Sequence, residues 1–210
     1  MAAEIEWIEG GGVTSPAGWR AGATYTGIKT YGDEPRFDLG ILASETLCTV
    51  AGVFTQNAIT GTSVALTRER TASAVAQALV ANSGIANTAT GEQGMRDALR
   101  MTALAAERAG VEAEHVLVGS TGVIGWPLPM DLIEAGIPAI ELTAEGGTDF
   151  SRAIMTTDTV AKHHAASVTV DGRTYTVGGT AKGSGMIHPD MATCFCFLTT
   201  DAPVDSDWLQ

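Results

Sequence analysis

Basic residues are scarce in this chain of 210 residues. Lysine and arginine together number 12, against 24 aspartates and glutamates, so the formal net charge is −12 and the sequence pI is about 4.6. The lysines are only three: Lys29, Lys162 and Lys182. Proteins bind nucleic acid and anionic membranes largely through lysine and arginine. We therefore expect neither nucleic acid nor a membrane as a partner.

Cysteine is also scarce, which argues against a disulfide framework. Cys48, Cys194 and Cys196 form no CxxC pair, and no cysteine–histidine cluster has the spacing of a zinc site. Free cysteines are among the most buried residues, so the sequence predicts buried, reduced thiols and no metal. The N-terminal MAAEIEWIEGGG lacks the basic and apolar regions of a secretory signal. We therefore expect a cytoplasmic protein.

Glycine is abundant, and helical and strand patterns alternate along the chain. The 25 glycines suit closely packed layers and tight turns. The clearest helix covers 94–109, and Asp171-Gly172 is a typical hairpin turn. Further helices are predicted at 69–78, 130–135 and 148–155, and strands at 23–28, 46–54, 64–66, 79–81, 116–118, 168–170, 174–177 and 194–198. This alternation predicts an α/β (mixed α+β) fold.

Thr193 stands between a glycine-rich loop and a predicted buried strand, and the loop carries the rare Lys182. Threonine is a weak nucleophile unless a base lies beside it. One solution is a threonine whose own α-amine, released by cleavage of the chain, accepts the hydroxyl proton. On pattern alone, the alternative interpretation is an ordinary threonine at the start of a strand.

Two other polar segments are candidates for a site. Ser120-Thr121-Gly122 follows a predicted strand, and backbone N–H groups of such a segment can bind an oxyanion, although a plain turn is an equal alternative. The run at 154–159 combines three threonines with Asp158 and can bind a polar substrate or cap a helix. The adjacent His163 and His164 would point to opposite faces of a strand, which argues against a shared metal.

Five segments together resemble a known family, the ornithine acetyltransferases, also called glutamate N-acetyltransferases, of arginine biosynthesis. The segments occur in the family's order and extend over nearly the whole chain from about Thr26. They are GVFTQNAITGTSV at 52–64, NSGIANTATGEQGMRDA at 82–98, STGVIG at 120–125, AIMTTDT at 153–159 and AKGSGMIHPDMAT at 181–193, which CFCFLTTDA follows.

The resemblance implies a precursor that cleaves itself between Ala192 and Thr193. Thr193 then heads the second, β chain as the nucleophile and binds substrate. In a ping-pong reaction it takes the acetyl group of N-acetylornithine, or of acetyl-CoA in some members, and passes it to glutamate. Thr121 and Gly122 are implied to form the oxyanion hole. Thr156 and Lys182 are implied to bind substrate, with Lys182 on a carboxylate.

The resemblance also implies the fold and assembly of the whole protein. Layered sheets with flanking helices, of the self-processing DmpA and ornithine acetyltransferase type, are expected. The α-like segment covers 1–192, and 193–210 is a truncated start of the β segment. The β chain of the same precursor is the implied partner, with an α2β2 heterotetramer as the complete assembly and no metal or organic cofactor.

Departures from the family pattern leave alternatives open. Asp190 and Ile85 stand where asparagine is common, and Cys194-Phe195-Cys196 replaces smaller residues. Since so little chain follows Thr193, an acidic substrate contact and a polar C-terminal segment of the family have no counterpart here. The alternatives are a related self-processing amidase or aminopeptidase, or an inactive fragment that needs a separate β chain.

Overall fold

The computed structural model describes residues 5–30, 35–183 and 194–210. Within these residues, eight strands form two four-stranded sheets with α-helices beside them, so the mixed α/β expectation of layered sheets with flanking helices is confirmed. The strands are β1 Ile5–Ile8, β2 Trp19–Thr24, β3 Leu39–Thr49, β4 Val75–Ile85, β5 Val116–Val123, β6 Lys162–Val170, β7 Arg173–Lys182 and β8 Phe195–Thr200. The helices are α1 Thr62–Thr71, α2 Gly91–Ala109, α3 Met130–Gly136, α4 Gly147–Ala153 and α5 Ser206–Leu209.

The two sheets differ in how their strands pair. The outer sheet has the order β1-β6-β7-β8 and is antiparallel throughout. The inner sheet has the order β2-β3-β4-β5, and its last pair, β4 with β5, is parallel. A parallel pair needs a crossover connection, and helix α2 supplies it. The C-terminal ends of β4 and β5 therefore lie side by side at one edge of the molecule.

Alternating residues of β4 show how the layers stack. Val80 packs with Met101 of α2 in a cluster between the inner sheet and the helices. Its neighbour Leu79 faces the other way and belongs to a cluster with Phe150, against which Phe197 of the outer sheet packs. Successive residues of a strand point to opposite faces, so both faces of the inner sheet are covered. The layers follow in the order outer sheet, inner sheet, helices α1, α2 and α3, whereas α4, which carries Phe150, packs on the face of the inner sheet that points toward the outer sheet.

Several predictions at the element level were right. Helix α2 ends at Gly110, which has a φ of 74° and caps the helix in the left-handed conformation. Asp171 and Gly172, with φ of 50° and 75°, form the two-residue turn between β6 and β7, as expected for a type I′ hairpin. The parallel strand predicted at 116–118 is present as part of β5.

Other predictions were wrong. The predicted strand at 64–66 lies in helix α1, and the helix predicted at 69–78 stops at Thr71. The strand predicted at 46–54 is the exposed end of β3, which ends at Thr49. The turns predicted at 82–84 and 119–122 are the last residues of β4 and β5.

The expectation of buried cysteines was also wrong. Cys48 is half-buried near the end of β3, and Cys194 and Cys196 are exposed. Cys196 lies on the face of β8 that points away from the inner sheet, whereas Phe195 and Phe197 point toward it. Among the residues that the structure describes, no helix is long and apolar enough to cross a membrane.

Candidate active site

The ends of β4 and β5 approach each other so closely that only glycine fits. Gly84 and Gly122 are register partners, and a Cβ on Gly122 would lie 2.2 Å from the carbonyl carbon of Gly84. The φ of Gly122 is +136°, a conformation that residues with a side chain rarely adopt. Gly84 is also close to a third segment, since a Cβ on Gly84 would lie 2.9 Å from the carbonyl oxygen of Ile28. Three backbone segments therefore meet at the predicted oxyanion segment.

Lys182 joins the two sheets at this point. It is the last residue of β7, its side chain is buried, and its Nζ donates a hydrogen bond of 3.0 Å to Oγ1 of Thr121. Burial lowers the pKa of Lys182, although the negative charge of Asp158 opposes this effect. The structure thus brings two independently predicted residues, the substrate lysine and the oxyanion threonine, into direct contact.

Asp158 connects the segments that carry Thr156 and Lys182. Its Oδ2 accepts a hydrogen bond of 3.2 Å from the N–H of Thr156, and its Oδ1 accepts one of 2.9 Å from the N–H of Gly183. The Nζ of Lys162 also pairs with Oδ1. Burial of the carboxyl opposes its ionisation, but these three donors outweigh burial and hold the pKa of Asp158 below its usual value. The ionised carboxylate of Asp158 therefore links the loop that contains Thr156 to the end of β7.

Lys29 is a third lysine at the same site, and no motif in the sequence pointed to it. Its side chain is buried, and its Nζ donates a hydrogen bond of 2.8 Å to the carbonyl oxygen of Phe37. The buried carboxylate of Asp38 accepts hydrogen bonds from the backbone N–H groups of Thr26, Gly27 and Lys29 and so fixes the loop. Burial lowers the pKa of Lys29 to about 8, although Asp38 raises it.

All three lysines of the chain therefore belong to the segments that meet at this site. Lys162 pairs with Asp158, and the charge of Asp158 raises the pKa of both Lys29 and Lys182. In a chain with a net charge of −12, this clustering of lysines is a local positive region. The scarcity of lysine in the sequence was the signal that could have identified Lys29.

The predicted site residues divide into those that the structure describes and those that it does not. Thr121 and Lys182 are in contact, Gly122 follows Thr121, and Thr156 is linked to the segment after Lys182 through Asp158. Ala192 and Thr193, the predicted cleavage site and nucleophile, lie outside the described residues. Phe195, the first residue of β8, is the register partner of Lys182.

The adjacent histidines are separated as predicted. Nδ1 of His163 forms a hydrogen bond of 2.9 Å with the carbonyl oxygen of Gly11, whereas the ring of His164 lies edge-on to Trp7 at 6.4 Å. Over 5–30, 35–183 and 194–210, no three His, Cys, Asp or Glu side chains are grouped so that they could hold a metal ion.

Comparison with known proteins gives one consistent result. The ArgJ family model matches residues 20–210. The arginine biosynthesis bifunctional protein ArgJ of Symbiobacterium thermophilum is 53% identical over 208 residues, which are 98% of this chain and 51% of that protein. The ArgJ protein of Dehalococcoides mccartyi is 43% identical over 210 residues, or 52% of its length. The chain thus spans about half the length of the curated relatives it matches.

Two solved structures have the same fold. The arginine biosynthesis bifunctional protein argJ of Bacillus halodurans superposes with a TM-score of 0.84 at 44% identity, over 91% of this chain and 100% of the solved chain. The ornithine acetyltransferase of Mycobacterium tuberculosis, solved in complex with ornithine, superposes with a TM-score of 0.80 at 35% identity, over 90% and 100%. On the family match and these similarities, the chain belongs to the ArgJ family.

Proposed function

We propose that this chain supplies the acyl-transfer site of an ornithine acetyltransferase, which moves the acetyl group of N-acetylornithine to glutamate through an acetyl ester of Thr193. The observation that carries the proposal is the hydrogen bond between Lys182 and Thr121. It joins a buried cation, suited to a substrate carboxylate, to the segment whose donors would bind the oxyanion. Acetyl-CoA is a further candidate donor, and the reaction as proposed uses no metal or organic cofactor.

The hydrogen bond also sets what Thr121 can do. An ammonium only donates, so Oγ1 of Thr121 acts as the acceptor from Lys182 and its own hydrogen remains available to donate. That hydroxyl and the backbone N–H of Gly122 are the two donors that we assign to the oxyanion hole. Donors fixed in advance where negative charge develops stabilise the transition state of acyl transfer.

In the reaction we propose, the α-amine of Thr193 takes the proton of its own hydroxyl. The hydroxyl oxygen attacks the acetyl carbonyl carbon of N-acetylornithine, the bond from that carbon to nitrogen breaks, and ornithine leaves with the proton. The amine of glutamate then attacks the ester, N-acetylglutamate forms, and Thr193 regains its hydroxyl. N-acetylornithine and glutamate are both amino acids with a carboxylate near the reacting nitrogen. One contact of that carboxylate with Lys182 can therefore serve both substrates in turn.

The active α-amine requires prior cleavage of the chain. We propose that Oγ of Thr193 attacks the carbonyl carbon of Ala192, that the acyl group shifts from nitrogen to oxygen, and that water releases the ester. The coverage of the relatives supports this step. The chain covers half of each curated relative, yet all of the solved Bacillus halodurans chain. The superposition with the solved chain covers 91% of the 210 residues of this chain, or about 191 residues. This number is close to the length of the segment 1–192, which is what cleavage before Thr193 would leave.

The position of Thr193 in the sequence supports its proposed role. Phe195, two residues later, pairs with Lys182 between β7 and β8. The described start of the strand that follows Thr193 in the sequence therefore lies beside the residue that we assign to the substrate carboxylate.

We propose the β chain of the same precursor as the partner, in an α2β2 assembly in the cytoplasm. The outward face of the outer sheet supports a covering partner. Trp7, Val177 and Leu198 lie on that face, and their exposed fractions are 76%, 46% and 71%. Large apolar side chains grouped on an exposed face often mark a protein–protein interaction site.

The test uses the chain co-produced with the C-terminal half of the Symbiobacterium thermophilum relative, so that both halves are present. We expect a break at Ala192–Thr193 by intact mass, and transfer of acetyl from N-acetylornithine to glutamate. Thr193→Ala should abolish both, whereas Thr174→Ala, at an exposed threonine in the β6–β7 hairpin, should leave both unchanged. Hydrolysis of N-acetylornithine without transfer to glutamate would contradict the proposal and favour the amidase alternative.

A further inference from the structure

The carboxylate of Asp158 joins two stretches of the chain, its own loop with the start of β6 and the end of β7. It accepts hydrogen bonds from the N–H of Thr156 in its own loop and from the N–H of Gly183 after β7, and it pairs with Lys162 at the start of β6. Its side chain is only 1% exposed. The two backbone donors belong to Thr156 itself and to the residue that follows Lys182.

We propose that Asp158 is a positioning residue of the acyl-transfer site. It fixes the distance between Thr156 and Lys182 and therefore the position in which the substrate carboxylate binds. The inference rests on the proposed function, because that function assigns substrate contact to Thr156 and Lys182. Asp158 acts through these two residues and is given no contact with the substrate.

The distribution of acceptors explains why a carboxylate is needed at this position. Oδ1 serves Gly183 and Lys162, and Oδ2 serves Thr156. Asparagine has one acceptor oxygen, and its amide group would place a donor against the donor of one segment. Asp158→Asn therefore releases either Thr156 or Gly183 while it preserves the size of the side chain.

The carboxylate also acts through its charge. Lys182, whose Nζ donates to Thr121, is buried, and Asp158 is the largest opposing influence on its pKa. Without that charge, burial acts with less opposition and the ammonium form of Lys182 is less favoured.

The experiment compares Asp158→Asn, Asp158→Glu and a control, Asp149→Asn, at a solvent-accessible aspartate on α4 that pairs with Arg152. All are prepared in the assembled protein, and kcat and KM are measured for N-acetylornithine and for glutamate. For Asp158→Asn we expect a loss in kcat/KM of about 10- to 100-fold, carried mainly by KM for both amino acids. Asp158→Glu, which keeps the charge but moves it, should fall between Asp158→Asn and wild type. Asp149→Asn should match wild type.

A second readout does not require activity. With three lysines in this chain, carbon-labelled lysine gives few resonances to assign by substitution, and their pH titration reports the pKa of Lys182. We expect that pKa to fall in Asp158→Asn and to stay near wild type in Asp158→Glu and Asp149→Asn. Unchanged KM values with an unchanged pKa of Lys182 would overturn the proposal.

If the wild type lacks transferase activity, the proposed function fails, and the lysine titration still decides whether Asp158 controls the pKa of Lys182. If Asp158→Asn does not fold, Asp158→Glu provides the test, and a wild-type KM in that variant would overturn the proposal.

Discussion

Lys29 and Lys182 are buried cations, and a buried ammonium is stable only where the surrounding groups compensate for lost water. Asp38 and Asp158 provide that compensation from two sides. At the scale of single residues, the site is therefore a small set of charges held by backbone donors, next to two glycines that allow three chain segments to touch.

We predict that Lys29 titrates far below an exposed lysine. Burial lowers its pKa to about 8 from an ordinary value of 10.5, so between these pH values the unfolded chain binds more protons than the folded chain. Stability should therefore rise across this range by about 1–3 kcal/mol. Urea unfolding from pH 7 to 11 would measure the rise, and Lys29→Met should reduce it, leaving the part that Lys182 contributes because burial lowers its pKa as well. A labelled-lysine resonance of Lys29 that titrates near 10.5 would contradict the prediction.

Gly122→Ala should be the most disruptive glycine substitution at the site. The new Cβ would lie 2.2 Å from the carbonyl carbon of Gly84, in a backbone conformation with φ of +136°. We expect a loss of stability of at least about 3 kcal/mol, together with loss of transfer activity. The matched control is Gly125→Ala, whose φ is +84° but whose Cβ would meet nothing within 4 Å. Its cost should be about 1 kcal/mol, and equal costs for the two variants would show that the close approach is not needed.

The resemblance predicted Thr121, Gly122, Thr156 and Lys182, but the residues that support them were not predicted. Asp158 appeared only as one polar residue in a threonine-rich run, and capping was the commoner explanation. Its partners Gly183 and Lys162 lie 25 and four residues away in sequence. The pairing of β6 with β7 brings them together, and no local pattern carries that information.

At the scale of elements, local signals failed where a polar residue has a distant partner. Asn82-Ser83-Gly84 has the composition of a turn, yet β4 continues through it to Ile85. Both polar side chains are buried, and each donates one hydrogen bond: Asn82 to the carbonyl oxygen of Ile85, and Ser83 to that of Ala153, 70 residues away. Conversely, the hairpin at Asp171-Gly172 was predictable because its two residues alone determine the turn.

Ser83→Ala tests this explanation of β4. The hydroxyl of Ser83 donates a hydrogen bond of 2.6 Å to the buried carbonyl oxygen at the end of α4, and its removal leaves that acceptor without a donor. We expect a loss of about 1–3 kcal/mol in the free energy of unfolding, measured by urea denaturation. Ser73→Ala, at an exposed serine after α1, should change stability by less than about 0.5 kcal/mol. A similar small change for Ser83→Ala would mean that the bond does not anchor the strand.

At the scale of the whole molecule, the described residues cover one sheet on both faces and the other on one face only. The inner sheet lies between helices α1 to α3 on one side and α4 with the outer sheet on the other. The outward face of the outer sheet leaves apolar side chains exposed in the described residues. The alternation of predicted strands and helices indicated the fold class. It could not show which sheet face is exposed in the described residues, since that depends on strand order.

Leu198→Glu should disrupt association with the β segment while the chain itself remains folded. The side chain of Leu198 is 71% exposed, so little packing is lost within this chain, whereas a buried charge at an interface is costly. We expect co-purification with the β segment to fall at least 10-fold. Leu99→Glu, at a 45% exposed leucine on helix α2, is the control and should co-purify normally. Normal co-purification of Leu198→Glu would exclude this face as the contact.

Trapping the acyl-enzyme tests most directly whether Thr193 carries the acetyl group during transfer. The assembled protein is incubated with N-acetylornithine in the absence of glutamate, digested at acid pH, and examined by mass spectrometry. We expect a peptide that begins at Thr193 and carries one acetyl group, and this acetyl group should disappear when glutamate is added and N-acetylglutamate forms. Turnover of N-acetylornithine by a protein whose Ala192–Thr193 bond is intact, or with the acetyl group on another residue, would contradict this expectation.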